Sequence, residues 1–475
     1  MVKNRSQAAL WIAPLFFFGL LFYLPLGKIL SIGFSGDWLQ TLTASKTYSI
    51  LWFTFWQAVC LSHLALGFGI PGAYVLYHRK FRGQEFLRAF ITVPFVLPTI
   101  VVAIGFTSFQ KLPIVSQLLT QNSGVPIIIC ANVFMNYSLA VRIIGGVWMR
   151  LDNSIEDAAS LDGAGRFRTL ISITLPQLKD AIASAAALIF LYCAANFGLA
   201  LVLGGATTKT LETEIYISAT QFLDLPKSAA LVGLQTLLTI IAFLVAQRYS
   251  GGQFGFGIAT AFGQRQKLDR RDFPAAAITA VFISVLIAIP LISVVVRALQ
   301  FDGSFSITNF HNLASHGARD VLSISVGHSA LNTVRNAAIA TVLSMVIGVI
   351  AAYILSHGKN KRTDRNVRKV ADIVFQLPLG ISSVVLGFGY LITFGSGLFP
   401  LRSSWLVTPI AQSLISIPLV IRLLLPAFST IESDLLETAE TDAATPSQIW
   451  WLVEGANHSK FHSHRKWLCR NHFFW

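Results

Sequence analysis

Ten runs of roughly 20 or more apolar residues, separated by short polar connections, leave this chain few ways to fold. A helix of about 20 residues spans the hydrocarbon of a bilayer and satisfies its own backbone polar groups there. The runs are 8–32, 49–77, 86–109, 125–149, 181–204, 229–247, 274–299, 328–356, 370–395 and 405–430. Only 12% of the residues are charged, where a soluble domain would have about a quarter. The expected fold class is therefore all-α and polytopic, an integral membrane protein. Pro94, Pro98, Pro290, Pro378 and Pro418 fall inside the runs, which packed membrane helices tolerate. The N-terminal run has the basic start of a signal peptide. It is too long for one and lacks a clean cleavage site, so it reads as the first span.

The formal net charge of +14 is distributed along the connections rather than gathered in a patch, so no nucleic-acid partner is expected. Twenty Lys and Arg lie at one end of the runs: in the N-terminus, 79–82, 150–179, 248–271 and 359–369. The opposite connections hold eight, counting Lys28 and Arg297 at helix ends. This bias places the N-terminus and 150–180 in the cytoplasm.

The chain also repeats itself. "GIPGAYVLYH" (69–78) matches "GVIAAYILSH" (348–357) at an offset of 279, and "VPFVLPTIVVAIGF" (93–106) matches "LPLGISSVVLGFGY" (377–390) at 284. Arg142 falls on Arg422, Ala159 on Ala439, Asp162 on Asp442 and Ala164 on Ala444, all at 280. The expected organisation is a first half at 1–249, a basic linker at 250–273, a second homologous half at 274–454 and an unrelated basic tail at 455–475. Both halves run in the same direction, since an even number of spans separates equivalent positions.

Each half carries a polar stretch after its fourth span, and the first copy reads "EDAASLDGAGRFRTLISITLP". Asp152, Asn153 or Ser154 can cap a short helix whose first turn holds Glu156 and Asp157. Ala158, Ala159 and Leu161 give it a small apolar face, Gly163 and Gly165 permit a turn, and Pro176 ends a second, amphipathic piece. Small exposed residues suit close docking in another protein's groove.

This stretch, with its Ala-Ala, Asp-Gly-Ala and Leu-Pro at those spacings, resembles the "EAA" loop of binding-protein-dependent ABC importer permeases. Two halves in one chain resemble the thiamine and ferric-iron permeases, and "FTFWQA" (53–58) and "AALIFLYCAANFGLALVLGG" (186–205) look closest to the thiamine type. The resemblance implies the fold of an ABC importer type I permease. It also implies that the loop docks on a cytoplasmic ABC ATPase dimer, whose closure drives alternating access. By that resemblance Glu156, Asp157, Ala158, Ala159, Asp162, Gly163, Ala164, Leu175 and Pro176 form the first coupling element. Glu437, Ala439, Asp442, Ala443 and Ala444 form the second, with Ala443 standing where the turn glycine would be. An extracytoplasmic solute-binding protein is the other implied partner, and a bacterial cytoplasmic (inner) membrane the implied location.

At offset 280, Leu-Pro is expected near 455 and 456, with about two further spans after it. Gly455 and Ala456 stand there instead, followed by a basic, His-rich tail, which a shifted reading frame after about Glu454 would explain. A genuine short form is the alternative. His458, His462, His464 and His472 have spacings a metal could use, but no acids accompany them and no metal site is expected.

Among polar residues within spans, Asn132, Asn136, Tyr192 and Asn196 are candidates to line a substrate path, or else to bond helix to helix. Arg142 can snorkel, and His63 reads as a packing histidine rather than a proton relay. Cys60, Cys130, Cys193 and Cys469 show no pairing or metal spacing. No phosphate-binding Gly-x-x-x-x-Gly-Lys loop or catalytic constellation occurs, so the chain is read as a non-enzyme binding no cofactor, with ATP used by the partner. The expected function is import of a small nutrient, thiamine or ferric iron first. An ion-coupled secondary transporter, a non-transporting scaffold and an inactive truncated remnant are the alternatives. The ion-coupled carrier is disfavoured because Asp372 is almost the only acid within the spans.

Overall fold

A computed structural model describes residues 2–249 and 266–429, apart from 36–37, 119–123, 206–207, 302, 315–323, 357–361, 382 and 396–403. Beyond them it describes 438, 441, 442, 444 and 448. Most of the linker, the tail with its histidines and Cys469, and Glu437, Ala439 and Ala443 lie outside these residues. The protein is an all-α membrane bundle. Among the described residues, eight helices are long and apolar enough to cross a bilayer: Leu10–Phe34, Ser45–His78, Val125–Trp148, Arg166–Ala194, Leu225–Val245, Arg270–Ala298, Val326–Ser356 and Val407–Leu425. They correspond to eight of the ten expected runs.

The other two runs are not straight spans. The third is a pair, Gln84–Val96 and Thr99–Gln110, bent by 103°. Pro98 lacks an N–H and forces its predecessor out of the helical region, so Leu97 is extended (φ −65°, ψ 139°). In the ninth, helix Arg362–Gln376 gives way to a 3₁₀ turn and then to Ser383–Phe394. Ile381, equivalent to Leu97 at offset 284, is extended there as well (φ −96°, ψ 131°). The fifth span also differs from expectation. It begins at Arg166, inside the polar stretch, and stops at Ala194, so that Phe197–Leu203 is a separate short helix.

The second and fourth spans pack side by side, and so do their equivalents, the eighth and tenth. Small residues set both contacts. A Cβ on Gly69 would lie 2.6 Å from Ala140 Cβ, and one on Gly348 would lie 2.7 Å from Val420 Cγ1. Tyr74 meets Trp148 with ring centroids 5.5 Å apart, and the equivalent Tyr353 and Phe428 meet at 6.3 Å.

The first span of each half crosses over to the other half. Phe18, Phe22 and Ile29 of the first span share a core with Phe375, Val385 and Phe388, while Phe282, Ile283 and Ile287 of the seventh share one with Phe106, Phe134 and Tyr137. The exchange is reciprocal down to its glycines. Gly105 in the third span leaves room for Pro290 O, 3.0 Å from a built Cβ, and Gly389 in the ninth leaves room for Pro25 Cβ at the same distance.

Candidate functional site: the cytoplasm-assigned loop and its anchors

The polar stretch folds as a helix, Asn153–Leu161, a turn, and a second helical piece that runs straight into the fifth span. Asp152 caps the first helix by accepting the Ser154 N–H at 2.9 Å, and that backbone bond holds its carboxyl below the usual range. At the other end Asp162 N–H donates to Ala158 O at 3.1 Å and Ala164 N–H to Ala159 O at 2.9 Å. The second bond requires the left-handed φ of +80° at Gly163, where glycine escapes the steric cost of a side chain. Gly165, expected to share the turn, has an ordinary extended backbone (φ −65°, ψ 153°).

The helix has two distinct sides. Asp157, Ala158, Leu161, Asp162 and Gly163 are exposed, Leu161 to 88%, and Phe167 beyond the turn to 76%. Ala159 is buried, Ala164 and Leu175 are partly so, and Pro176 is exposed. Glu156 turns inward. The buried Thr174 hydroxyl donates to its Oε1 at 2.7 Å, and His78 Nε2, at the end of the second span, lies 3.6 Å from its Oε2. His78 is in turn packed against Tyr74 and Trp148. One carboxylate thus fixes the loop helix to the ends of two spans, while a strip of small and apolar residues stays available. In the second half, Asp442 N–H donates to Thr438 O at 3.0 Å, the counterpart of the Asp162–Ala158 bond; Asp442 is exposed and Ala444 half-buried.

A second anchor was not anticipated. Asp272, at the end of the linker, has a side chain 1% exposed and receives Arg166 Nη1 at 2.8 Å, Arg79 Nε at 3.2 Å and the Tyr74 hydroxyl at 2.7 Å. Residues 79–80 and 266–267 pair as a short parallel bridge beside it.

The four candidate path residues cluster. Asn196 Nδ2 donates to Asn132 Oδ1 at 2.8 Å, and Asn136 Nδ2 donates to Asn132 O at 3.0 Å. Asn196 stands at the break after the fifth span and its Oδ1 caps the next helix. Tyr192 sits edge-on to Phe95 at 5.9 Å, within electrostatic reach of Arg422 from the second half. Arg422 itself is buried and donates to Gln376 Oε1 at 2.8 Å, and Gln376 donates to Asp372. Its repeat partner Arg142 is exposed.

Sequence reading also missed Glu214, on the helix Leu211–Thr220. Its buried carboxylate gathers Lys227 at 2.9 Å and Lys46 and Lys209 at 3.5 Å each. Burial alone would raise its pKa; the three ammonium groups outweigh burial and hold it low.

Residues 65–251 match the family model described as the binding-protein-dependent transport system inner membrane component. The thiamine transport system permease protein of Brucella abortus (strain 2308) is 27% identical over 399 residues, covering 80% of this chain and 69% of that protein. The Escherichia coli (strain K12) thiamine permease is 25% identical over 400 residues, covering 82% and 72%. The ferric transport system permease protein of Actinobacillus pleuropneumoniae is 22% identical over 411 residues, covering 82% of this chain and 57% of its own length. A solved bacterial alginate ABC transporter, in complex with an alginate-bound periplasmic protein, aligns with a TM-score of 0.44 at 18% identity, covering 54% of this chain and 97% of that one. The chain is a multi-pass helical membrane protein similar, over most of its length, to the permeases of binding-protein-dependent transport systems.

Proposed function

We propose that this permease moves thiamine or ferric iron inward by alternating access, driven by a separate ATPase that docks on the two loops. In this reading the N-terminus is cytoplasmic, 1–249 and 274–454 are the two moving halves, and an extracytoplasmic binding protein delivers the substrate. The observation that carries it is the two-sided loop helix. Glu156 holds it rigidly to two spans, while Asp157, Ala158, Leu161, Asp162 and Gly163 face outward for a partner. The repeated Asp442–Thr438 bond supports a second docking element of the same build. The Asn132–Asn196 pair, at a helix break beside the interface, is the proposed start of the substrate path.

The test is co-expression with the cognate ATPase and reconstitution with the binding protein. Co-purification of the ATPase, lost on Gly163→Val and Asp162→Arg, is the expected outcome. Uptake that follows an ion gradient with no ATPase bound would favour the secondary-transporter reading. The ligand that co-purifies with the binding protein decides between thiamine and iron.

A further inference from the structure

The Asp272 cluster joins three segments far apart in the chain. Tyr74 and Arg79 end the second span, Arg166 stands in the first loop four residues after Asp162, and Asp272 opens the seventh span. The carboxylate is saturated. Oδ1 receives the Tyr74 hydroxyl at 2.7 Å and Arg166 Nη1 at 2.8 Å, while Oδ2 receives the Asp269 N–H at 2.9 Å and lies 3.2 Å from Arg79 Nε. Asp269 adds a looser contact to Arg166 at 3.6 Å, and Arg79 donates to Gln266 at 2.6 Å. Charge-assisted bonds of this kind are short and directional, and breaking one member of a buried set is costly.

We propose that Asp272 is the joint by which movement of the first loop is passed to the first helix of the second half; the proposal rests on the importer reading above. The seventh span belongs to the second half in sequence but packs on Tyr137 and Phe68, ring centroids 4.1 and 5.0 Å from Phe282. Apolar packing of that sort permits sliding along the helix axis. The Arg166–Asp272 bond fixes the seventh span's end to the loop, so both travel together. Asp272 and Arg166 are positioning residues in this scheme; neither meets substrate.

The experiment uses spin labels at Val281→Cys and Val334→Cys, two exposed sites on the seventh and eighth spans, with the native cysteines replaced. Their separation is measured by pulsed dipolar spectroscopy in the permease–ATPase complex, nucleotide-free and after vanadate trapping. The unsubstituted permease should show a trapped-state shift. Arg166→Gln, at a side chain 50% exposed and so tolerable to the fold, should retain the ATPase yet lose at least half of that shift. Arg166→Lys should restore part of it. An unchanged shift in Arg166→Gln overturns the proposal. So does a shift lost in Arg166→Gln but kept in Asp272→Asn, which would move the joint to Asp269. If the unsubstituted permease retains no ATPase, the importer reading fails first and takes the joint with it.

Discussion

The two halves carry nearly the same helix pair and surround it differently. In the second span Thr54, Ala58 and Ser62 are buried to 5% exposure or less; at offset 279 in the eighth span, Thr333, Ala337 and Thr341 are exposed. In the first half the fifth span packs on the second, and Thr54 Oγ1 accepts the Leu211 N–H at 2.9 Å. Among the described residues, no helix takes that place on the eighth span. Thr333 keeps only its local bond to Ser329 O, at 2.9 Å. The same Thr-x-x-x-Ala-x-x-x-Ser/Thr stripe is an interface in one half and a free face in the other. A repeat therefore conserves how a helix can pack, while its neighbours decide whether it does.

Substitutions at equivalent sites turn this comparison into measurements. The largest effect is expected in the first loop. Gly163→Val forces a β-branched residue to φ +80° and should reduce ATPase-stimulated uptake at least tenfold. Uptake into vesicles matched for expression would read the loss; unchanged uptake would mean that this turn does not bear on coupling. Next come the helix-contact glycines. Gly69→Ala places a methyl 2.6 Å from the Ala140 methyl, which has no rotamer to yield, and should cost about 1–3 kcal/mol in detergent unfolding. Gly348→Ala meets Val420 Cγ1 at 2.7 Å and Cβ at 2.8 Å; rotation moves only the first, so its cost should be comparable.

Thr54→Val leaves the buried Leu211 N–H without its acceptor, at a cost of about 1–3 kcal/mol, while Thr333→Val should fall within about 0.5 kcal/mol. The same unfolding titration measures both; matching costs would mean that something covers the eighth span in detergent. The smallest effect concerns Glu214. Its depressed pKa means that its contribution is fully present above the unfolded value of about 4.3 and is lost as pH falls through the folded value. Lys227→Met should raise the folded pKa toward the unfolded value, lowering thermal stability at neutral pH and shrinking the loss seen on acidification below about 4.3.

Much of this was legible beforehand because the bilayer allows so little choice. Apolar runs gave the spans, and constant offsets gave the repeat down to Asp162 and Asp442. The break at Leu97 could have been read from Pro98, but its counterpart at Ile381 has no proline following it. Hydropathy sees a broken and a straight helix alike. The loop helix was legible from its capping residues, yet which side faced inward depended on His78 and Thr174, which no local pattern connects to Glu156. The Asp272 joint spans 193 residues to Arg79 and 106 to Arg166, beyond any periodicity. Glu214 did leave a trace: it is one of three acids, with Glu212 and Asp224, between Lys209 and Lys227.

The crossing of the first span has a consequence for how the protein is made. Phe18 meets Phe375 with ring centroids 5.1 Å apart, and the Tyr23 hydroxyl donates to Val374 O at 2.7 Å. At a synthesis rate of about 5–20 residues per second, the ribosome reaches that partner roughly 20–70 s after the first span emerges. Through that interval the helix must wait in the membrane with its buried face turned to lipid or to a chaperone. The nascent chain is most open to capture and degradation then, and any pause before the ninth span prolongs the exposure.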